Sequence, residues 1–543
     1  FGKVLDLEEY LVSDHFLKYN LRFHWRSSGP AGADGTRFEE YSQSFIRTFS
    51  NVASYQLDRN RTEAELLRRN RESSRFELAL GAAGLEVDLA EGDAPHRLAF
   101  ETASGHREVA ARWFVDTTGR NRYLARRMAL TRSNPIDHGS FFWWVDGLID
   151  VERLSDQTPR ERRLDPRRRL QGHLPAWLAT NHFAGEGFWF WVIPLRGKTS
   201  LGLVFDKATI DPSDVFSVEK ATAWISKRFP LLARELPHRK VLDFGGFRSF
   251  SYDCVQTISA ERWALTGESG RFSDPLYSPG SDLIAIHNTL IVAAIETEDP
   301  DELASRCRQS EQLMRSVYGA YVPSYADCYD ALGDQEVFSL KYVWELSIYF
   351  AFYVFPFLNE LLTDRRFGLA FLRLFSRLGP TNRGLQRFLS DFYRWKRDSS
   401  HEAPAGPVLF DFTEVGTLRR AEATFYRIGV SVEEAKRELA RQVENLEELA
   451  LFLVSHAASV VLGEPRVRTD RGFVEGIDLA AIRFDPEDFA LRWAACEERN
   501  RPVPPSESEP YAWSFDPTVL DRFRAAPPAP AGVETSATQE VLS

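Results

Sequence analysis

Residues 267 to 288 read GESGRFSDPLYSPGSDLIAIHN, and they follow the apolar run Trp263-Ala264-Leu265-Thr266. That order is a buried strand, a glycine turn, a loop holding Asp274-Pro275, and an apolar-periodic helix that begins around Gly280-Ser281. A strand ending in Gly267 lets backbone approach a ligand, and Glu268 is placed to accept hydrogen bonds from hydroxyls. The helix from Ser281 aims its positive N-terminus back at the same place. An anionic, hydroxyl-rich cofactor suits this layout. A strand-loop-helix without a ligand has the same local pattern, so the rest of the chain must decide between them.

Length and composition set the outer bounds. At 543 residues the chain is long enough for two or three domains. Hydrophobic residues at 43% and charged residues at 27% are those of a globular protein, while 13 Trp and 40 Phe are a heavy aromatic load. Large cores account for most of it, and aromatic-lined cavities for the remainder. A net charge of -11 argues against nucleic acid or an anionic membrane surface as partner. The arginines from Arg160 to Arg169 read as a solvated loop. Cys254, Cys307, Cys328 and Cys496 form no CxxC pair and have no histidine-rich surroundings, so neither a metal site nor a disulfide framework is expected, and a reducing, cytoplasmic setting is the default. FGKVLDLEEY at the start is not a signal peptide. Leu346 to Leu358 is too short to span a bilayer and contains Pro356; it reads as a buried helix.

Along the chain, residues 5 to 26 predict a short helix and then a strand at Asn20 to Trp25, and Tyr55 to Asn70 an amphipathic helix. From Arg75 to Asp116 the periodicity becomes two, with turns at Gly81, Gly84, Gly92-Asp93 and Gly105, which predicts an antiparallel meander of three or four strands. Its last strand delivers Asp116-Thr117-Thr118-Gly119-Arg120 and a helix to about Met128. Gly139 to Asp253 is strand-rich, with aromatic runs Phe141 to Trp144 and Phe188 to Trp191 and a helix near Val218 to Arg228. After Gly280 the pattern is helical to about Asn500. The Pro-, Ser- and Ala-rich stretch from 501 to 543 reads as a loose tail.

These motifs, in this order, resemble the flavin-dependent halogenase family, the FAD-dependent oxidoreductases that include tryptophan halogenases. SYQLDRNRTEAEL (54 to 66) is similar to a flavin-contacting segment with Arg59 on the cofactor side. DTTGR (116 to 120) is similar to the second flavin motif, with Asp116 at the strand end and Gly119 close to the cofactor. GESGRFSDP is similar to the family's GDxxGxxDP, with Glu268 for Asp and Arg271 for Gly; Gly267, Glu268, Asp274, Pro275 and Gly280 are then cofactor-binding. Trp189-Phe190-Trp191-Val192-Ile193-Pro194 matches WxWxIP in full, which implies a flavin and substrate cavity walled by Trp189, Trp191, Ile193 and Pro194. A core strand with alternate indoles facing inward has the same spacing. Lys18, in LKYNLRFHW, lies where the family carries its catalytic lysine, whose role is to hold hypohalous acid made from halide; Asn20 replaces the customary Gly.

The resemblance implies an α/β fold: an FAD/NAD(P)-binding, Rossmann-like domain with an antiparallel meander (1–135 and 255–300), a β-rich substrate domain (136–254), a mostly helical region (301–500) and the tail. It implies FAD as cofactor, reduced by a separate flavin reductase, halide as co-substrate, and an aromatic or carrier-tethered small molecule as substrate. Two departures stand out. The family's loop glutamate and Thr-Gly pair correspond here to Tyr277, Ser278, Pro279 and Gly280, so Tyr277 and Ser278 become the catalytic candidates and Ser278 with Gly280 the halide candidates, since proline has no N–H. No GxGxxG occurs near residue 1, where the family binds the ADP half of FAD with a unit of ~30 residues; the expectation is weak FAD binding by this sequence and a longer natural protein. A non-halogenating flavin monooxygenase or dehydrogenase, and a binding protein that has lost its flavin, remain alternatives on the same scaffold.

Overall fold

The computed structural model describes residues 1–27, 33–47, 54–165, 174–399, 404, 406–500 and 509–524. Its central element is an eight-stranded sheet. In spatial order the strands are Val241–Phe247, His138–Asp146, Lys198–Asp206, Phe188–Leu195, Thr180–Gly185, Leu21–Arg26, Tyr41–Phe45 and Leu409–Asp411. All neighbours are antiparallel except 21–26 against 180–185 and 41–45 against 409–411. Period-two alternation explains how both faces are covered. Phe188, Phe190 and Val192 point into one core with Phe141, Trp143 and the 218–228 helix. Trp189, Phe23 and Trp25 point the other way, into the helical core. Gly202 is required by the fold: opposite Trp191 in the register, its missing side chain makes room for the indole, which lies 2.2 Å from where a Cβ would stand.

The sheet crosses the expected domain boundaries. Strands 21–26 and 41–45, assigned by sequence to the cofactor domain, and 409–411, assigned to the helical region, all belong to it. Such pairings are non-local and leave no mark on the periodicity of the strand itself. Phe114–Asp116 likewise leaves the meander 83–88, 96–102 and 105–111 and pairs in parallel with Trp263–Leu265 in a separate three-stranded sheet.

Other elements follow local signals. The helix Val218–Arg228 starts where Ser217 accepts from the Lys220 N–H, and Val432–Val461 where Ser431 and Glu434 form a capping box. The expected 55–70 helix begins later, at Arg59, because Tyr55-Gln56 pairs with Phe16-Leu17. Pro159–Leu164 is a helix rather than a loop: Thr158 and Glu161 close a capping box around Pro159. Residues 166–169 of the arginine run lie outside the described residues. So do 501–508 and 525–543 of the expected tail, but 509–524 pack against the helices, with Trp513 donating to the Arg468 carbonyl at 2.8 Å and Leu520 and Phe523 buried. The apolar run at 346–358 is buried helix, interrupted by a π-helical turn over Phe350–Val354. Among the described residues no helix is long and apolar enough to cross a membrane.

Candidate functional site

Two glycine turns meet at the carboxyl ends of the parallel strands 114–116 and 263–265, the end at which open α/β sheets hold their ligands. Gly119 has φ +57° and Gly267 φ +60°, a conformation other residues adopt at a cost. The Ser269 hydroxyl ties one turn to the other by donating to the Asp116 carbonyl at 2.6 Å. No atom lies within 4 Å of a Cβ built on Gly119, so that turn is open to a ligand. Beside it Glu268 is half-exposed, and its carboxylate has no hydrogen bond or ion pair among the described residues. An open glycine turn with a free acceptor fits the hydroxyl-bearing part of a flavin cofactor.

The other expected cofactor contacts are redistributed. Asp116 is buried, and its carboxylate accepts from the N–H groups of Thr118 at 2.8 Å and Leu124 at 2.7 Å. Asp274 is buried and accepts from His138 Nδ1, Tyr329 and the Leu276 N–H at 2.7, 3.2 and 2.9 Å. Both carboxylates fix turns. Pro275 gives its carbonyl to the Ser278 N–H. Arg59 is 79% exposed and paired with Glu63 at 2.9 Å on its own helix. Trp189 is closed into the core, its indole N–H donating to Tyr329 at 2.6 Å, and Pro194 is also buried. Trp191 and Ile193 are half-buried, Trp191 donating to Ser200 at 3.1 Å.

Lys18 is held by a hydrogen bond from its backbone N–H to the Ser54 carbonyl. Burial lowers its amine to about 8, partly opposed by the charge of Asp282. Asp282 lies in the first turn of the Gly280–Ile295 helix and accepts from the Tyr349 hydroxyl at 2.8 Å. It is accessible to solvent, yet its carboxyl is raised by desolvation, with Tyr349 and Lys18 opposing. Lys18 is half-buried and Asp282 exposed. His182 lies behind Lys18, fully buried and stacked on Phe23 at 4.7 Å; burial and then the Lys18 charge push it down to about 3, so it is neutral.

Tyr277 and Ser278 enter the same region from the turn before the helix. Both have positive φ, +69° and +63°, a strain that non-glycine residues keep where the surroundings impose it. The Tyr277 ring is 4.9 Å from Tyr342 and 6.2 Å from Phe23. Its hydroxyl faces Glu345 without reaching hydrogen-bond geometry, and burial and that carboxylate raise it well above the ordinary phenol range. Glu345 is anchored on its other oxygen by Lys341, Ser324 and Gln386. Ser278 is exposed, but its N–H is spent on Pro275; with Pro279 lacking one, only the Ser278 hydroxyl and N–H groups from Gly280 onward are left for an anion.

Lys18 thus feels the charge of Asp282 in the first turn of the 280–295 helix, Tyr277 and Ser278 form the turn that leads into that helix, and the glycine turns lie at the end of the small sheet. Asp282, His182 and Glu345 were not singled out by sequence. SPGSD gives Asp282 the look of an ordinary helix-start acid, and His182 and Glu345 have no local signal at all.

No family model matches the chain. The flavin-dependent halogenase chlA of Dictyostelium discoideum is 23% identical over 406 residues, 68% of this chain and 64% of that protein. A 1H-pyrrole-2-carbonyl-[peptidyl-carrier protein] chlorinase of Pseudomonas fluorescens is 24% identical over 201 residues, 36% of this chain and 41% of its own length. The crystal structure of halogenase PltM with ethyl mercury and mercury superposes with a TM-score of 0.53 at 17% identity, covering 81% of this chain and 84% of that one. Over these stretches the chain is similar to flavin-dependent halogenases, and the superposition shows the same fold. The chain spans just under two thirds of the length of the Dictyostelium relative.

If Glu268 accepts from cofactor hydroxyls, Glu268→Ala weakens FAD retention by about 1 to 3 kcal/mol, the cost of leaving a buried hydroxyl unpaired. Fluorescence titration of FAD measures this, and an unchanged affinity places the acceptor elsewhere.

Proposed function

We propose that the protein is a flavin-dependent halogenase that acts on an aromatic or otherwise electron-rich small molecule, free or carrier-tethered, using halide, O2 and FAD reduced by a separate reductase. The observation that carries this is Lys18: a half-buried amine that feels the charge of Asp282 at the start of the 280–295 helix, which the strained Tyr277-Ser278 turn leads into. FAD, when bound, supplies the oxidising equivalent that turns halide into hypohalous acid. Gly119 and Gly267 let the cofactor approach the backbone, and Glu268 accepts from its hydroxyls. Lys18, protonated below about 8, donates to the oxygen of hypohalous acid and directs its halogen toward the substrate ring. Tyr349, half-buried beside Asp282, is the aromatic side chain against which such a ring packs. A carrier-tethered substrate draws support from the relative named as a carrier-protein chlorinase.

The test is product mass. Purified protein with FAD, a flavin reductase, NADH, and chloride or bromide is offered phenols, pyrroles and their carrier-bound thioesters. A halide-dependent mass gain with the isotope pattern of chlorine or bromine supports the proposal; oxygenated product alone at saturating halide overturns it.

Pro279 sets the halide requirement in this reading. It sits at φ -73°, ψ -14°, which threonine adopts without strain. Pro279→Thr adds one N–H to the anion site, a charge-assisted hydrogen bond of about 1.5 kcal/mol or more. The halide concentration for half-maximal product is expected to fall about tenfold. An unchanged halide titration means that the anion does not bind at this turn.

A further inference from the structure

Halogenation of a ring by substitution releases a proton, and the site must hold a base to take it. We infer that Asp282 is that base and that Tyr349 is its positioning residue; the inference rests on the proposed function. Among the carboxylates near Lys18 and Tyr277, Asp282 is the one a substrate can touch. Glu345 is tied on one oxygen to Lys341, Ser324 and Gln386, and its other oxygen is buried facing Tyr277. His182 is fully buried and neutral. Asp282 is accessible, and the Tyr349 hydroxyl holds its Oδ2 at 2.8 Å, which leaves Oδ1 to accept.

The backbone supports this placement. Tyr349 is the last residue of the Gln335–Tyr349 helix, immediately before the π-helical turn 350–354. Single π-turns of this kind recur at functional sites because they re-aim side chains. Here Tyr349 and Tyr353 form an edge-to-face pair with centroids 6.1 Å apart, and the Tyr349 hydroxyl donates to Asp282 at the start of the 280–295 helix. The side chains that face the Asp282 carboxyl are Tyr349 and Lys18.

The step balances as follows. The Lys18 ammonium gives its proton to the oxygen of hypohalous acid, the oxygen–halogen bond breaks, and water leaves. The ring's π electrons form the carbon–halogen bond; the ring is oxidised by two electrons and the halogen reduced by two. The proton on the substituted carbon passes to Asp282, the C–H electron pair restores aromaticity, and the proton returns from Asp282 to the Lys18 amine. The net change is arene plus hypohalous acid to haloarene plus water.

Two readouts test the assignment, with phenol and ring-deuterated phenol as probes. In Asp282→Asn, halogenation is expected to fall about 100-fold, and a primary deuterium isotope effect, absent in the wild type, is expected to appear because C–H cleavage becomes slow. Asp282→Glu restores part of the rate, and Tyr349→Phe retains product with an intermediate isotope effect. Independently of flavin, labelling of Lys18 by dinitrofluorobenzene across pH, read by peptide mass, has its midpoint near 8 in the wild type; Asp282→Asn moves it lower by removing the opposing charge. Thermal unfolding of each variant separates misfolding from loss of the base. If the wild type makes halogenated phenol and Asp282→Asn matches it with no isotope effect, the base assignment is overturned and the function stands. If the wild type makes no halogenated product from any aromatic probe, the function itself is overturned.

Discussion

Lys18→Ala is expected to abolish halogenated product, by a factor of ~10² to 10⁴ or more, while O2 consumption by the reduced-flavin system continues. The reason is positional. Lys18 lies within reach of the charge of Asp282 at the start of the 280–295 helix, whereas the open glycine turns and Glu268 lie at the end of the small sheet. Its loss removes the group that holds the halogenating agent and leaves the cofactor's own contacts in place. Oxygen uptake and product mass followed in the same reaction separate the two; if both fall together, Lys18 supports the cofactor instead. The same residue sets a pH dependence. An ordinary lysine stays protonated to ~10.4, but burial lowers Lys18 to about 8. The ammonium donor is therefore present below that value and lost above it, so product formed per O2 consumed falls as pH rises through about 8. A yield that rises over this range would instead indicate that the free amine is the working form.

How much of this was legible in the sequence depends on how local each signal is. The alternation Phe188-Trp189-Phe190-Trp191 encodes a strand covered on both faces, and it is one. What it does not encode is that Trp189 is sealed by Tyr329, a residue 140 positions later, so that only Trp191 and Ile193 of the four expected wall residues remain half-exposed. The turn at Gly267 was readable because a positive φ selects glycine. Nothing local reveals the partner of Asp274, since His138 reaches it from the large sheet. The membership of the large sheet is hidden for the same reason. Strand 21–26 is placed by a parallel pairing to 180–185, and a strand's sequence does not carry the address of its neighbour. Lys18 was legible only through the residues that flank it, since its desolvation is produced by elements far along the chain.

Arg271→Gly is expected to cost about 3 to 5 kcal/mol of folding stability. Glycine is the family's usual residue here, and at this place in the motif an arginine looks like a surface substitution. It is a buried strut. Its Nε donates to Asp253 at 2.9 Å, its Nη groups donate to Thr257 and the Cys254 carbonyl at 3.2 and 3.0 Å, and it pairs with Glu311. It thereby ties the loop before the small sheet to the Pro300–Ala326 helix. Burial raises Glu311, but Arg271 more than offsets this, and the carboxyl sits below its usual range. Removing the arginine leaves two carboxylates poorly compensated, although Arg315 still reaches Glu311 at 2.9 Å and limits the loss. Because the Glu311 pKa is depressed in the folded state, its contribution is present above ~4.3, the unfolded value, and is lost as pH falls through the folded one. The gap between wild type and Arg271→Gly should therefore be widest near neutral pH and close in acid. Urea midpoints at pH 7 and pH 2.5 measure it. A double-mutant cycle with Glu311→Gln isolates the pair. If Arg271→Gly is as stable as the wild type at pH 7, or if the cycle shows no coupling, the arginine fills space and does not brace the turn.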